Sequence, residues 1–358
     1  MQYSKKAVQR AGEALIVEDV RLNDPELFKN SMKVLSYWRS SHEGTLNKMT
    51  SELESVSRGV DKKSIVVKRL KRTASIEKKL KRFSRMKLRN IQDIAGCRSI
   101  LGSTKKVNQV KRALIKRSDF KVTDYIKKPK NDGYRGIHLV GKFLDKEKNS
   151  QFPVEIQLRT KIQHSWATAV EIVDLFTGQA LKSNDGSEDW LSFFRNISHE
   201  FSKLEGVNNI DVPESHKESL RLLDKLHAYK KFEAFAQSIK IIEEHRRIEG
   251  EGYNLMTINT AKKFCEIFTY GVEHFNDAAK DYLTAEKMAA SEKDVVVALV
   301  SSQSTDNLKE AYPNYFADSA LFVSNVRKVE LKYRDPRKEV AKRYLSNVLK
   351  TAGFNGRN

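Results

Sequence analysis

The strongest constraint on the fold of this chain is a basic loop, interrupted by proline and glycine and followed by two stretches with strand character. Pro129 cannot continue a helix and Gly133 has a permissive backbone, so residues 127–135 are predicted to form a loop. Residues 136–143 and 153–158 are predicted to be strands. The loop directs toward one space four cations and an aromatic ring, namely Lys127, Lys128, Lys130, Arg135 and Tyr134. This set suits the phosphates and base of a nucleotide or of an RNA end.

The second strand alternates between apolar and polar side chains. Its apolar residues are Val154, Ile156 and Leu158, and its polar residues are Glu155, Gln157 and Arg159. Because successive side chains point to opposite faces of a strand, the polar groups are expected on one face, with the Glu155 carboxylate among cations. A basic hairpin turn with a solvent-exposed face is the alternative interpretation. An acid within a basic cluster favours a functional site, since a solvated surface does not require that arrangement.

Length and charge limit the possible architectures and partners. A chain of 358 residues with 39% hydrophobic content is long enough to bury a core and is expected to divide into two domains. The formal charge of +20 indicates attraction to a polyanion, which can be nucleic acid, a membrane surface or a phosphorylated small molecule. Charge alone does not choose among these partners.

Cysteine content and hydropathy point to the cytoplasm. The only cysteines, Cys97 and Cys265, are far apart in sequence, so neither a disulfide framework nor a structural zinc site is expected. The first residues lack an apolar signal segment, and no stretch reaches the roughly 18 apolar residues of a membrane span. We therefore expect a cytoplasmic protein without membrane contact.

The order of the predicted elements indicates an α+β fold. Asp24 and Pro25 are typical of a helix start, and residues 1–60 are expected to form a helical segment that packs on a catalytic domain. The elements that follow are strands at 65–67 and 91–101, helices at 74–83 and 104–116, the two strands after the loop, and a helix at 161–176. Together they predict a mixed β-sheet flanked by helices.

Three domain boundaries are predicted. The catalytic domain is assigned to 61–210, a linking helix to 211–252, and a smaller C-terminal regulatory αβ domain to 253–358. The remaining predicted elements are helices at 186–205, 213–249, 274–290, 304–312 and 337–350, and strands at 253–258, 264–270 and 295–300.

Two carboxylates, Asp93 and Glu155, lie in predicted strands flanked by basic residues. Two strands of one sheet can bring such groups to one Mg²⁺ ion. Phosphoryl-type transfer requires little more than a held metal, cations along the phosphates and an aligned nucleophile. The candidate cations are Arg69, Lys71, Lys79, Arg98, Lys130, Arg135 and Arg159, and His138 is a further candidate for a phosphate contact. Each is more commonly a surface or salt-bridge residue when taken alone, so their convergence carries the interpretation.

These residues, in this order and spacing, resemble the synthetase (nucleotidyltransferase) domain of the RelA/SpoT family. The matching segments are Arg69-Leu70-Lys71 with Ser75 and Lys79, Asp93 to Arg98, Asp124 to His138, Val154 to Thr160, and His164. The resemblance implies a diphosphotransferase. Such a pyrophosphokinase transfers the β,γ-pyrophosphate of ATP to a ribose 3′-hydroxyl and releases AMP.

The resemblance also implies roles for individual residues. Asp93 and Glu155 would hold Mg²⁺, with Glu155 alternatively acting as the base on the attacking hydroxyl. ATP would be bound by Arg69, Lys71, Ser75, Lys79 and Arg98, with the two arginines on either side of adenine. The acceptor and its phosphates would be bound by Lys130, Tyr134, Arg135, His138, Gln157 and Arg159, with Tyr134 stacked on the base.

The sequence leaves the acceptor open. The family commonly has Pro-Asn where this chain has Asn131-Asp132, and a carboxylate there would repel the diphosphate of GDP. A guanine nucleotide acceptor would make the protein a (p)ppGpp alarmone synthetase, whereas the 3′-terminal adenosine of tRNA would make it a toxin that blocks translation. The +20 charge favours tRNA, which requires an extended basic surface. A non-catalytic RNA-binding protein is the third possibility.

A Tyr-x-x-Tyr motif, formed by Tyr312 and Tyr315, lies in the predicted C-terminal domain. It resembles the fused toxin and antitoxin subgroup CapRel, in which a C-terminal half with such a motif occludes the ATP site. This resemblance implies autoinhibition by the C-terminal domain, a phage protein as the trigger and a role in phage defence. Two tyrosines that pack in a short turn after a helix are the alternative interpretation.

Overall fold

The chain forms two compact units. The computed structural model describes residues 3–71, 73–145, 148–177, 181, 186–207, 212–235, 252–259, 264–289, 292, 295–301 and 315–334. One unit consists of Met1–Pro129 and Arg135–Lys161, and the other of Lys130–Tyr134 and Ile162–Asn358. This division groups the helices that follow the first sheet with the C-terminal elements. Within the part of the chain described, no helix is long and apolar enough to cross a bilayer.

The first unit is built on a five-stranded sheet. Its strands are β1 (Ile65–Leu70), β2 (Ala95–Leu101), β3 (Lys121–Asp124), β4 (Ile137–Asp145) and β5 (Ser150–Thr160). The strand order is β1-β2-β5-β4-β3, in which β2 and β5 are parallel and the other neighbours are antiparallel. The structure therefore confirms the predicted α+β fold with a mixed sheet.

Helices surround this sheet. They are α1 (Lys5–Ala14), α2 (Val20–Asn23), α3 (Pro25–Ser40), α4 (Glu43–Val60), α5 (Thr73–Arg82), a 3-10 turn (Leu88–Asn90) and α6 (Thr104–Ile115). Helix α3 begins where the sequence predicts a cap, since the Asp24 carboxylate accepts a hydrogen bond of 2.9 Å from the backbone N–H of Leu27. Pro25 occupies the first helical turn, where its missing N–H costs nothing.

Helix α4 covers the apolar face of the sheet. Cys97, Ile156 and Leu139 are cross-strand neighbours on β2, β5 and β4, and all three are buried. Ser57 of α4 lies on this face, with its Oγ 2.8 Å from the Oγ of Ser99 on β2. Because strand side chains alternate, the opposite face presents the polar residues of the same strands.

The second unit combines helices with a smaller sheet. Its helices are α7 (Lys161–Thr177, of which Lys161 belongs to the first unit), α8 (Glu188–Leu204), α9 (Ser215–Lys225), a helical stretch at 228–235, α10 (Phe275–Ala289) and α11 (Tyr315–Tyr333). Strands β6 (Tyr253–Asn259), β7 (Phe264–Tyr270) and β8 (Val295–Ser301) form an antiparallel sheet in the order β7-β6-β8.

Most predicted elements of the second unit are confirmed, and two differ. The long helix predicted at 213–249 is wrong as a continuous element, because it is interrupted after α9 at His227, whose φ of 48° is incompatible with a right-handed helix. Helix α11 was not predicted. The helices predicted at 304–312 and 337–350 lie outside the described residues, as does 236–250 of the predicted linking helix.

Phe322 of α11 fills an aromatic core in the second unit. The side chain is fully buried, and its ring centroid lies 5.0 to 6.5 Å from four other rings. Those rings belong to Phe193, Phe194, Phe201 and Phe232. Tyr229 donates a further hydrogen bond of 2.8 Å to Glu330. Helix α11 is therefore part of the core of the helices that precede the small sheet.

We predict that Phe322→Ala destabilises the protein by about 3 to 5 kcal/mol, because it removes the ring at the centre of this core and leaves a cavity. Leu331→Ala changes a residue of the same helix that is 68% exposed, and it serves as the control. Urea unfolding followed by circular dichroism measures both. Equal stability of the two variants would contradict the assigned core.

Candidate active site

The polar face of the first sheet carries several of the predicted site residues. Arg69, Gly96 and Glu155 are neighbours across β1, β2 and β5, and cross-strand neighbours share a face. A Cβ atom added at Gly96 would meet only backbone oxygens, at 3.8 and 4.0 Å. The glycine therefore leaves open space on the sheet between an arginine and an acid.

Asp93 lies just before β2 and is held by two lysines. Its Oδ2 is 2.8 Å from the Nζ of Lys71, and its Oδ1 is 2.9 Å from the Nζ of Lys79. Burial raises the pKa of the Asp93 carboxyl, but the charges and hydrogen bonds of the two ammonium groups outweigh burial and hold the pKa below its usual value. Asp93 is therefore a carboxylate at neutral pH.

Glu155 lies in the middle of β5, and both of its oxygens have partners. Nδ1 of His138 lies 2.9 Å from Oε1, and Nε2 of Gln157 donates a hydrogen bond of 2.8 Å to Oε2. Burial raises the pKa of Glu155, but these partners and the charge of Lys71 outweigh it and lower the pKa to about 2. Lys71 thus acts on both Asp93 and Glu155, so the two acids share one electrostatic environment.

The position of Lys71 is fixed from the N-terminal helices. Its backbone N–H donates a hydrogen bond of 2.7 Å to the carbonyl of Ile94, and its own carbonyl accepts one of 2.8 Å from Nε of Arg39 on α3. Sequence reasoning missed Arg39. No pattern in the sequence identifies it, because the contact joins positions 32 residues apart and depends on how α3 packs.

A chain of polar contacts continues from Glu155 along the same face. Oε1 of Gln157 accepts from Nε of Arg98 at 3.3 Å and from the guanidinium of Arg159 at 3.1 Å. Both arginines are buried, at 7% and 5% exposed. His138 was predicted to contact phosphate; in the structure its Nδ1 faces Glu155, with Tyr125 packed edge-on against its ring at 5.1 Å.

Arg135 is buried at the end of the loop. It was expected to reach a phosphate, but it is 7% exposed and its guanidinium donates a hydrogen bond of 3.3 Å to the carbonyl of Ile126. The side chain therefore ties the end of the loop to its beginning. The burial of this cation against a backbone carbonyl depends on how the loop closes, which composition does not reveal.

The tip of the loop, Lys130–Tyr134, belongs to the second unit. Gly133 has a φ of +93°, which favours glycine, and its carbonyl accepts a hydrogen bond from Ser198 of α8. Nζ of Lys130 lies 4.9 Å from the centroid of the Tyr134 ring. Asp132 accepts a hydrogen bond of 2.8 Å from the backbone N–H of Tyr134, so its carboxylate also stabilises the turn.

Four predicted residues remain, and the structure describes the surroundings of two of them, Ser75 and His164. Ser75 lies in the first turn of α5, one turn before Lys79. His164 of α7 is buried, with Nε2 3.1 Å from the carboxylate of Asp318 on α11. Tyr312 lies outside the described residues, and Tyr315 is described only as the first residue of the α11 backbone.

Asp93 and Glu155 are the residues that would hold a magnesium ion in this site. No group of three or more His, Cys, Asp or Glu side chains that could hold a metal occurs among the residues described. Mg²⁺ is commonly bound by one or two carboxylates together with water and substrate phosphates, which Asp93 and Glu155 can provide. Cys97 adds no ligand, because burial raises the pKa of its thiol to about 12.

Part of the chain is similar to known proteins. Residues 68–172 match the family model described as "Region found in RelA / SpoT proteins". The GTP pyrophosphokinase YjbM of Bacillus subtilis (strain 168) is 38% identical over 112 residues, which are 29% of this chain and 52% of that protein. The chain therefore spans little more than half of that relative.

Two solved structures are also similar to part of this chain. The small alarmone synthetase 1 of Bacillus subtilis bound to pppGpp is 25% identical, with a TM-score of 0.42 over 49% of this chain and 94% of that chain. A GTP pyrophosphokinase family protein from Streptococcus pneumoniae is 24% identical, with a TM-score of 0.40 over 51% of this chain and 97% of that chain. The site lies on the mixed sheet of an α+β domain. Over residues 68–172 the chain carries a RelA/SpoT domain.

We predict a pH dependence of stability from Glu155. Its pKa falls from an ordinary 4.5 to about 2 in the folded protein. The ionised carboxylate therefore stabilises the fold above about pH 4.5, and this contribution is lost as the pH falls through about 2. At 1.4 kcal/mol per pKa unit, the contribution is roughly 3 kcal/mol.

The measurement compares the free energy of unfolding of the wild type and Glu155→Gln across this range. The advantage of the wild type is expected to shrink between pH 4.5 and 2. Glu54→Gln, which changes an exposed carboxylate on α4, should show no such trend. A constant difference between the wild type and Glu155→Gln would disprove the assigned environment.

Proposed function

We propose that the protein is an ATP-dependent pyrophosphokinase that transfers the β,γ-pyrophosphate of ATP to a ribose 3′-hydroxyl. The observation that carries this proposal is the pair of partly buried carboxylates, Asp93 and Glu155, whose pKa values are both lowered by Lys71. A carboxylate pair among cations is the chemistry that phosphoryl transfer requires. The match of residues 68–172 to the RelA/SpoT region supports the same reaction class.

The side chains of the chain itself account for most of the catalysis. Lys71 and Lys79 would release Asp93 and bind the phosphates of ATP instead. Arg69 and Arg98 would hold the adenosine. In-line positioning of two nucleotides and neutralisation of the charge that moves onto AMP are the main demands of this transfer. Asp93 and Glu155 would hold Mg²⁺, which supplies charge neutralisation and alignment of the phosphates when bound.

The pKa of Glu155 favours a metal-binding role over a general-base role. An efficient base at neutral pH has a pKa near the working pH, and the hydrogen bonds from His138 and Gln157 lower that of Glu155 to about 2. The same contacts fix the orientation of its carboxylate. His138 and Gln157 are therefore positioning residues for Glu155.

The proposed acceptor is the 3′ end of tRNA. The charge of +20 supports it, because tRNA requires a basic surface that extends beyond one site. Tyr134, with the Lys130 ammonium over its ring, can stack on a terminal adenine.

The second candidate for the acceptor is a guanine nucleotide, which the name of the relative YjbM favours. Asp132 was expected to repel the diphosphate of GDP, but its carboxylate accepts a hydrogen bond within the turn, which weakens that objection.

A regulatory role for the C-terminal half forms part of the proposal. By resemblance, Tyr312 and Tyr315 would close the ATP site, and a phage protein would displace them, which would make the protein a toxin used in phage defence. The contact of His164 with Asp318 supports communication, because it joins the RelA/SpoT region to helix α11. A trigger must bind the open state better than the closed one, since equal affinity shifts nothing.

Transfer of label tests the acceptor. The full-length protein and a Tyr312→Ala/Tyr315→Ala variant are incubated with γ-labelled ATP and either tRNA or GDP. We expect label on tRNA, with one AMP released per label, and faster transfer by the variant. The full chain is used because removal of residues 253–358 would also remove Phe322 from its core.

Two controls make this test specific. Periodate-oxidised tRNA lacks the 3′-hydroxyl and should accept no label, and Glu155→Gln should transfer none to either acceptor. Label that enters GDP and never tRNA would end the tRNA proposal while leaving the pyrophosphokinase intact. Transfer by Glu155→Gln at the rate of the wild type would end both.

A further inference from the structure

A cavity of about 610 Å³ lies in the first unit, lined by residues other than the two acids. Helices α1 and α3, the segment that precedes Asp93, and the β4–β5 hairpin contribute to its walls. The lining residues that matter here are Lys5, Trp38, Arg89, Gln92, Lys142 and Gln151.

The charged side chains that line the cavity are positive. Lys5, Arg89 and Lys142 line it, and no acidic side chain does among the residues that the structure describes. Within the part of the chain described, none of these three cations forms an ion pair with a carboxylate. Unpaired cations are common on a chain with a charge of +20, but here they surround one concave space together with carboxamides such as Gln92 and Gln151. Cations and amide donors around a cavity suit an anion with several oxygens.

Trp38 gives the cavity a buried aromatic wall. The side chain is 4% exposed and its ring packs against His42 and Phe152, with centroids 4.9 and 5.8 Å apart. Its indole Nε1 has no hydrogen-bond partner among the described residues. Because this nitrogen is enclosed by the protein, Trp38 gives the cavity an apolar wall and not a hydrogen-bond donor.

The lining of the cavity includes two residues that are close in sequence to the two acids. Gln92 immediately precedes Asp93, and Pro153 lines the cavity two positions before Glu155 on β5. Residues two apart on a strand point to the same face and lie about 7 Å apart. Gln151 and Pro153 point to the face of Glu155 and Ser150 to the other, so the cavity lies toward the Ser150 end of β5 and draws on both faces.

We propose that this cavity is a second phosphate-binding site, distinct from the ATP site, that takes the phosphates of a nucleotide. Those phosphates belong either to a free nucleoside triphosphate or to the strand that precedes the 3′ end of an RNA acceptor. The proposal rests on the proposed function only for the RNA source. Binding to the cavity is measured without turnover. A loss of binding with label transfer intact would contradict only this proposal, and a loss of label transfer with binding intact would contradict only the proposed function.

The test uses inorganic tripolyphosphate as the probe, with the ATP site filled by a non-hydrolysable ATP analogue. Arg89→Gln/Lys142→Gln removes two cations of the cavity, and Lys62→Gln/Lys63→Gln removes two exposed lysines outside it. Calorimetry is expected to show at least tenfold weaker binding to the first variant and wild-type affinity in the second. Tryptophan fluorescence should respond to the probe in the wild type and not in Trp38→Phe.

Two further titrations identify the source of the phosphates. GTP and a short RNA that ends in adenosine are titrated into the same proteins. The ligand whose affinity falls in Arg89→Gln/Lys142→Gln, relative to the lysine control, is the occupant. Equal affinity of both double variants for all three probes, or no binding of tripolyphosphate by the wild type, would overturn the proposal.

Discussion

The ammonium group of Lys71, which pairs with Asp93 and lowers the pKa of both Asp93 and Glu155, is the interaction on which the rest of this site depends. A buried carboxylate is costly unless it is paired and hydrogen-bonded. Asp93 is held by Lys71 and Lys79, and Glu155 by His138 and Gln157, so each of the four carboxylate oxygens has a partner. The same lysines are the groups that ATP phosphates would engage. The resting site therefore keeps its acids ionised with contacts that a nucleotide can replace.

The sheet topology makes this arrangement possible. Strands β1, β2 and β5 are neighbours although they are far apart in sequence, and the parallel pair β2 and β5 places Gly96 beside Glu155. Gly96 keeps the space between Arg69 and Glu155 open. Arg39 then fixes the backbone of Lys71 from α3. The N-terminal helices are thus part of the site.

Sequence patterns predicted the features that depend on local geometry. The period of two in residues 154–159 gives the polar face of β5, and Asp24 caps α3 through its own carboxylate. Contacts between distant segments carry no local signal. The hydrogen bond from Arg39 to Lys71, the burial of Arg135 and the place of Phe322 in the helical core all depend on tertiary packing. The break at His227 depends on one backbone angle that its residue type does not require.

Binding of Mn²⁺ in the presence of a non-hydrolysable ATP analogue, followed by electron paramagnetic resonance, tests the central claim most directly. If Asp93 and Glu155 serve one ion, Asp93→Asn and Glu155→Gln should each weaken Mn²⁺ binding at least tenfold. Glu54→Gln, which changes an exposed carboxylate, should bind the ion as the wild type does. Wild-type affinity for Mn²⁺ in either Asp93→Asn or Glu155→Gln would show that the two acids do not share a metal.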